Sequence, residues 1–389
     1  MHRLWALLLA FILVSLFISA PVQAAEKQSR LLVKFQEGVD KQAAARRNNA
    51  RIRSEIPRLG VVVLESSDGP EITKNRFRRE RIEYVEEDAV AEALDSNDQL
   101  YISQWALPKI SWNLLEASAS AFNPAVLTKI AVVDTGVDYT HPDLSGKVDV
   151  VSGWDFVNND SDAMDDNLHG THVAGIASAT TGNSIGIAGV SINTTQVIPV
   201  KVLNSSGSGY YSWIASGIIW AADHGAKVIN LSLGGMVSSN TLQNAINYAW
   251  NKGAVITAAA GNSNNTRRLY PAYYNRVIAV WASDQNDKKA SFSSYGNWVD
   301  VGAPGVSILS TVPLSLDFDG TNDGYALLSG TSMATPEVTG LAGLLFSKNS
   351  WTNSQVRSRI EATTDPISER LFTRGLLGKG RINVSKALK

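Results

Sequence analysis

Five apolar runs set the fold of most of this chain: "KIAVVD" (129–134), "QVIPVKVL" (196–203), "AKVINLSLGG" (226–235), "GAVITAAAGN" (253–262) and "RVIAVWAS" (276–283). Amphipathic stretches such as "YSWIASGIIWAADHG" and "LQNAINYAWNKG" fall between them. A strand that faces water on one side alternates apolar and polar residues, whereas these runs are apolar almost throughout, as strands buried on both faces are. With helices interleaved, the expectation is a three-layer α/β fold, a mostly parallel sheet with helices on both faces. Function in such sheets gathers at the carboxyl ends of the strands.

A second rhythm precedes this one. Charge density falls by more than half near residue 94, and the denser segment before it carries the alternating runs "RLLVKFQ" and "GVVVLES". The charged stretch "EITKNRFRRERIEYVEED" that follows them reads as helix. Together these predict a small α+β domain over 25–94, ahead of a large domain over 95–389. At the N-terminus, Met1-His2-Arg3 leads into an apolar run from Leu4 to Ala20, and Val22-Gln23-Ala24 supplies small residues suited to a cleavage site. Residues 1–24 therefore read as a signal peptide, and the apolar run stops short of the roughly 20 residues that a spanning helix needs. The expected product is secreted, extracellular and free of the membrane once the signal is cut.

Net charge is −1 over 389 residues, with 44% hydrophobic and 18% charged, a balance that gives nucleic acid no electrostatic purchase. Cysteine is absent, so an exported form must be stabilised by its core, by bound metal ions, or by both.

The chemistry-bearing residues sit where strands end and helices begin. Asp134 ends one apolar run, Asn262 follows another, His169 opens "HGTHVAGIAS", and Ser332 lies in "GTSMATPE" at a helix start. Pro336 supports that start, because proline is tolerated in a first helical turn. A serine hydroxyl needs a histidine base, itself oriented by a carboxylate. Beyond the signal peptide the histidines are His141, His169, His172 and His224, all before Ser332. That order excludes an α/β-hydrolase, and G-x-S-x-G is absent too. H-E-x-x-H is also missing, which excludes the metalloprotease signature. His172 reads as packing behind the base, and His141 and His224 as structural. Taken alone, Asp134 could equally be a helix cap.

Taken together, "AVVDTGVDYTHPDL", "HGTHVAGIA", "SGSGYYSWIASGIIWA", "VINLSLGG", "AAAGN" and "SGTSMATP" resemble the subtilisin-like serine proteases, on the thermitase branch. "LLVKFQEG…YVEEDAV" resembles the inhibitor and chaperone prodomain of that family. The resemblance implies a subtilisin-like fold and an Asp134–His169–Ser332 triad, with the Asn262 amide and the Ser332 N–H stabilising an oxyanion. It implies two cleft-edge segments that pair with substrate as strands, carrying Gly207, Ser208, Gly209 and Tyr211 on one side and Ser232, Leu233 and Gly234 on the other. Recognition would then rest mainly on main-chain hydrogen bonds and be broad, and Tyr211 and Leu233 would line apolar pockets, with a preference for large apolar or aromatic residues, and not acidic ones, before the scissile bond. Protein and peptide substrates and the chain's own prodomain are the implied partners of a monomeric enzyme.

The resemblance also implies bound calcium. Asp98, Asp143 and Asn183, with Thr181, Ile185 and Ile187, match the family's tight site, and Asp155, Asp160 and Asp162 offer a second. Self-processing is expected between Leu94 and Asp95, with Ala91 filling a small pocket. Several positions depart from the family: Asn158 and Met164 replace oxygen donors of the second calcium set, Thr339 stands where alanine is usual, and Glu337 stands where histidine is usual, about 140° around the helix from Ser332, facing away from the reacting atoms. A catalytically dead relative acting as a binding protein, and an esterase using the same triad, are the alternative readings.

Overall fold

The computed structural model describes residues 29–88, 96–114 and 127–389. The signal segment, Ala91 and the Leu94–Asp95 bond lie outside the described residues. The chain divides into two compact units, residues 1–92 and 93–389.

In the first unit, β1 (Ser29–Phe35), α1 (Lys41–Arg47), β2 (Ala50–Ile56), β3 (Val61–Ser66), α2 (Pro70–Phe77) and β4 (Ile82–Glu87) follow in order. They form an antiparallel sheet in the order β2-β3-β1-β4. Leu31, Val33, Phe35, Val62 and Leu64 pack with Ala44, Ala45 and Phe77 in its core. The charged stretch read as one helix is helix only to Phe77, and from Ile82 it becomes β4. Its backbone groups there pair with β1, from Leu31↔Glu87 to Phe35↔Ile82, and pairing across the sheet overrides local helix preference.

The second unit begins with α3 (Ala106–Lys109), β5 (Thr128–Asp134), β6 (Trp154–Asp155), α4 (His169–Ser178), β7 (Thr195–Lys201), α5 (Tyr211–Asp223), β8 (Val228–Leu231) and α6 (Asn240–Asn251). It continues with β9 (Val255–Ala259), β10 (Val277–Ser283), β11 (Val301–Pro304), β12 (Ile308–Thr311), β13 (Tyr325–Leu328), α7 (Thr331–Lys348) and α8 (Asn353–Ala362), with short α9 (Arg370–Thr373) and α10 (Val384–Leu388) at the end. Seven strands pair in the order β11-β10-β9-β8-β5-β7-β6, every pairing parallel. Alternate residues of β5 feed two separate cores. Ile130 and Val132 pack with Val173, Val338 and Leu341 of α4 and α7 on one face. Ala131 and Val133 pack with Ile214, Ile218 and Ile246 of α5 and α6 on the other. That double burial explains why the runs are apolar at every position.

The chain runs from β5 to β6 and β7 on one side, then returns to lay β8 on the other. β5 is thus the switch point, where the connections part and leave a crevice at the carboxyl ends. Asp134 is its last residue.

Candidate active site

Asp134 is fully buried, and its Oδ1 accepts the Thr135 N–H at 2.8 Å. The same oxygen lies 2.7 Å from His169 Nδ1. Helix α4 can bring His169 this close because Gly170 has no side chain: a Cβ there would sit 2.0 Å from the Gly136 carbonyl oxygen. The turn into α4 is strained, with Leu168 at φ 95. Asp165 holds it in place, since its Oδ1 accepts from the Asn167 and Leu168 N–H groups and from Thr135 Oγ1. Its Oδ2 takes the N–H and hydroxyl of Thr171 at 2.8 and 2.6 Å. Burial alone would lower the His169 pKa, but the charge and hydrogen bond of Asp134 outweigh it and hold the imidazole above its ordinary value.

Below the pair, Lys201 is buried inside an apolar strand. Its ammonium donates to the Thr135 and Leu203 carbonyls at 2.7 and 2.9 Å and to Asp166 at 2.6 Å, which ties the ends of β5 and β7 together. His172 is buried too, its Nε2 within 3.1 Å of the Ile308 and Ala326 carbonyls, and burial pushes it down to about 3, so it stays neutral.

Ser332 is the second residue of α7. Pro336 lies inside that helix, in its second turn and not its first. Lacking an N–H, proline cannot bond the carbonyl four residues back, which is that of Ser332. That carbonyl instead accepts the Ser232 hydroxyl at 2.8 Å. The Ser332 hydroxyl donates to the Ser232 carbonyl at 3.1 Å, so the two serines are cross-linked, and among the described residues no hydrogen bond joins Ser332 to His169. Such contacts commonly tighten only when substrate is bound.

Asn262 completes the arrangement. Thr331 donates its N–H and its hydroxyl to Asn262 Oδ1, and among the described residues Nδ2 has no acceptor. A carbon built at the Cβ position of Gly330 would lie 3.3 Å from that Nδ2 and 3.6 Å from the Ser332 nitrogen. Two N–H donors therefore border one small space kept open by a glycine. This geometry suits an oxyanion.

A cavity of about 240 Å³ opens beside Ser332 and Asn262, with Leu233, Met236, Ala259 and Leu269 among its walls. The main-chain groups of Leu233 and Gly234 take no hydrogen bond from the described residues, while Gly235 pairs with Tyr270 in both directions. Tyr211 does not line this cavity. Its hydroxyl donates to the Val237 carbonyl at 2.9 Å, fastening the segment that holds Gly207, Ser208 and Gly209 to the one that holds Ser232, Leu233 and Gly234.

The two predicted metal sites fare differently. Asp98 and Asp143 are both buried and both meet the loop around Asn183: Asp98 accepts the Gly182 and Asn183 N–H groups, and Asp143 accepts the Asn183 side chain and the Ile187 N–H at 2.8 Å. Burial, with Asp98 nearby, pushes Asp143 up to about 6. Two buried carboxylates meeting one loop are hard-oxygen donors that suit calcium, while the Asn183 amide turns its Nδ2 to Asp143 and its Oδ1 to the Ile185 N–H. The Thr181 carbonyl accepts from Asn193 at 2.7 Å, and Ile185 donates its N–H to Asn183 Oδ1 at 3.0 Å. In the second set Asp155 and Asp160 are β-bridge partners, and each carboxylate accepts from donors around it. Asp155 is occupied by Val157 and Asn158, Asp160 by the Asp162 N–H, and Asp162 by Tyr139 and Met164. Among the described residues no group of three or more His, Cys, Asp or Glu side chains converges as a metal site.

Four supporting residues are given no role by the sequence: Thr135 and Thr331, which lie inside the motifs quoted for the family, and Asp165 and Lys201, which lie outside them. Lys201 had a visible signal, since a cation inside an apolar strand needs buried acceptors.

Residues 127–380 match the subtilase family model, and residues 25–88 match the fervidolysin N-terminal prodomain. Thermitase of Thermoactinomyces vulgaris is 53% identical over 279 residues, covering 72% of this chain and 92% of thermitase. A thermophilic serine proteinase of Bacillus sp. (strain AK1) is 44% identical over 377 residues, covering 93% of this chain and 87% of its own. Among solved structures, a protease of Pseudoalteromonas arctica PAMC 21717 superposes with a TM-score of 0.65 at 31% identity, covering 75% of this chain and 98% of that one. The chain belongs to the subtilase family, as a serine endopeptidase of the thermitase branch that carries an N-terminal prodomain.

Proposed function

We propose that this chain is a secreted endopeptidase that cleaves protein substrates through Asp134, His169 and Ser332 by way of an acyl-enzyme. The observation that carries this reading is the 2.7 Å contact of His169 Nδ1 with buried Asp134, taken together with the cavity that Ser332 and Asn262 share. Asp134 fixes the imidazole with its Nδ1 protonated, so that Nε2 is the basic nitrogen. The Ser332 hydroxyl leaves the Ser232 carbonyl, passes its proton to Nε2 and attacks the scissile carbonyl carbon. Asn262 Nδ2 and the Ser332 N–H receive the oxyanion. The imidazolium then protonates the departing amine, and water repeats the sequence on the acyl-enzyme.

Unpaired main chain at Leu233 and Gly234 suits an extended substrate added as a strand, which makes recognition broad. The apolar cavity walls favour a large apolar residue before the scissile bond. Residues 1–24 act as the signal, 25–94 as the inhibitor and chaperone prodomain, and 95–389 as the protease, a monomer matured by its own cleavage. Asp98, Asp143 and Asn183 hold one structural calcium ion, which supplies charge neutralisation and no catalytic step.

A fluorophosphonate probe should label Ser332, and a casein zymogram should clear with the wild type and not with Ser332→Ala. Probe labelling that survives in Ser332→Ala would refute the assignment.

A further inference from the structure

Arg267 stands among the residues lining the cavity beside Ser332. Its main-chain N–H donates to Asn265 Oδ1 at 2.9 Å, but its guanidinium has no hydrogen bond or ion pair among the described residues. The neighbouring cations are engaged elsewhere. Arg268 lies over the Tyr273 ring at 4.3 Å, and Lys289 donates to Asn264 Oδ1, the Ala290 carbonyl and the Ser293 carbonyl. Burial lowers the Lys289 pKa, and the charge of Glu369 opposes that only in part. No aspartate or glutamate lines the cavity itself, whose other polar residues are neutral Ser and Asn side chains and Thr331. Among the described residues, Arg267 is therefore the cation of this pocket and has no counter-charge within it.

We infer that Arg267 sets the charge preference of the cavity beside Ser332, so that glutamate is accepted before the scissile bond alongside large apolar residues and lysine and arginine are rejected. The inference rests on the endopeptidase reading above and revises the expectation that acidic residues are excluded. An apolar pocket alone would turn a carboxylate away, because burying an unpaired charge is costly. Here the stem of a glutamate can lie against Leu233 and Leu269 while its carboxylate meets a guanidinium whose paired N–H donors match it. A lysine or arginine in the same position would bring a second cation to an unshielded first one. Because Arg267 is exposed, the effect is screened by salt, and substituting it leaves the core untouched.

The test uses the mature enzyme and peptides that differ only in the residue before the scissile bond: Phe, Gln, Glu or Lys. Values of kcat/KM are taken per probe-titrated active site, and Glu:Gln and Lys:Gln ratios are compared within each protein. In Arg267→Ala the Glu:Gln ratio should fall about tenfold, the size of one charge-assisted contact at a half-open site. In Arg267→Glu the Lys:Gln ratio should rise by a similar factor, and both shifts should shrink in about 0.5 M salt. Ratios identical in wild type and both variants would overturn the role of Arg267 while leaving the endopeptidase reading standing. A wild type that cleaves not even the Phe peptide, and takes no probe, would overturn both.

Discussion

Thr331 grips Asn262 twice, its N–H and its hydroxyl each 2.9 Å from Asn262 Oδ1. The hydroxyl oxygen also accepts the Gly261 N–H at 3.0 Å, so its proton is committed to Asn262. Which end of the amide faces Ser332 is decided by this residue. Thr331→Val keeps the shape and the N–H but loses the hydroxyl, and kcat should fall about 5- to 10-fold with KM nearly unchanged, because the oxyanion forms only along the reaction. A change confined to KM would contradict this positioning role.

The acid limb of activity belongs to His169. Its pKa is raised by Asp134, so the imidazole stays protonated, and unable to accept the serine proton, to a pH above the ordinary imidazole value. The pH profile of kcat/KM should therefore rise with a midpoint on the alkaline side of that value. A midpoint below it would show that Asp134 does not dominate the imidazole's surroundings.

Glu337 is fully buried, and neither of its carboxyl oxygens has a hydrogen-bond partner among the described residues. It borders a cavity of about 10 Å³ with Trp105, Leu107, Ile176 and Ile308, a mainly apolar setting. Burial raises its pKa well above the ordinary value, and Arg381 offsets this only in part. Between the unfolded and folded values the native state binds more protons than the unfolded one, so stability falls as pH rises through that window. Glu337→Gln should flatten this dependence, with Tm at alkaline pH rising by roughly 2–4 °C for each kcal/mol recovered. Glu337→His should alter melting or maturation yield more than turnover per titrated site. Loss of that turnover would place Glu337 in the chemistry.

Removing calcium should lower Tm. With no cysteine in the chain, the buried pair Asp98 and Asp143 loses its counter-charge in chelator. Thermal melts with and without EDTA should differ by several degrees in the wild type and by little in Asp143→Asn. Equal melts in the wild type would remove calcium from the account.

Maturation should depend on Ser332. N-terminal sequencing should place the start of the secreted protein within about two residues of Asp95, and Ser332→Ala should keep its prodomain. If the mutant, expressed in a protease-free host, still appears in its short form, an external enzyme makes the cut.

Much of this protein is determined by its sequence alone. Unbroken apolar runs can be satisfied only by strands covered on both faces, so β5, β7, β9 and β10 are legible in the order of residues, and with them the strand ends that carry Asp134 and Asn262. Tertiary structure decided what local pattern cannot encode. The stretch from Ile82 to Glu87 became strand because β1 offered it partners, although its local charge pattern reads as helix. Pro336, a helix-start signal in sequence, entered the second turn, where its missing N–H left the Ser332 carbonyl for Ser232. Asp155, Asp160 and Asp162 are close in sequence, but the donors that their carboxylates accept, the Val157 and Asp162 N–H groups and the hydroxyl of Tyr139, are fixed only by the folded turn. Residue type and period fix which groups a segment must bury. Only the folded chain fixes which partner, tens to hundreds of residues away, satisfies them, because that pairing depends on where other segments end.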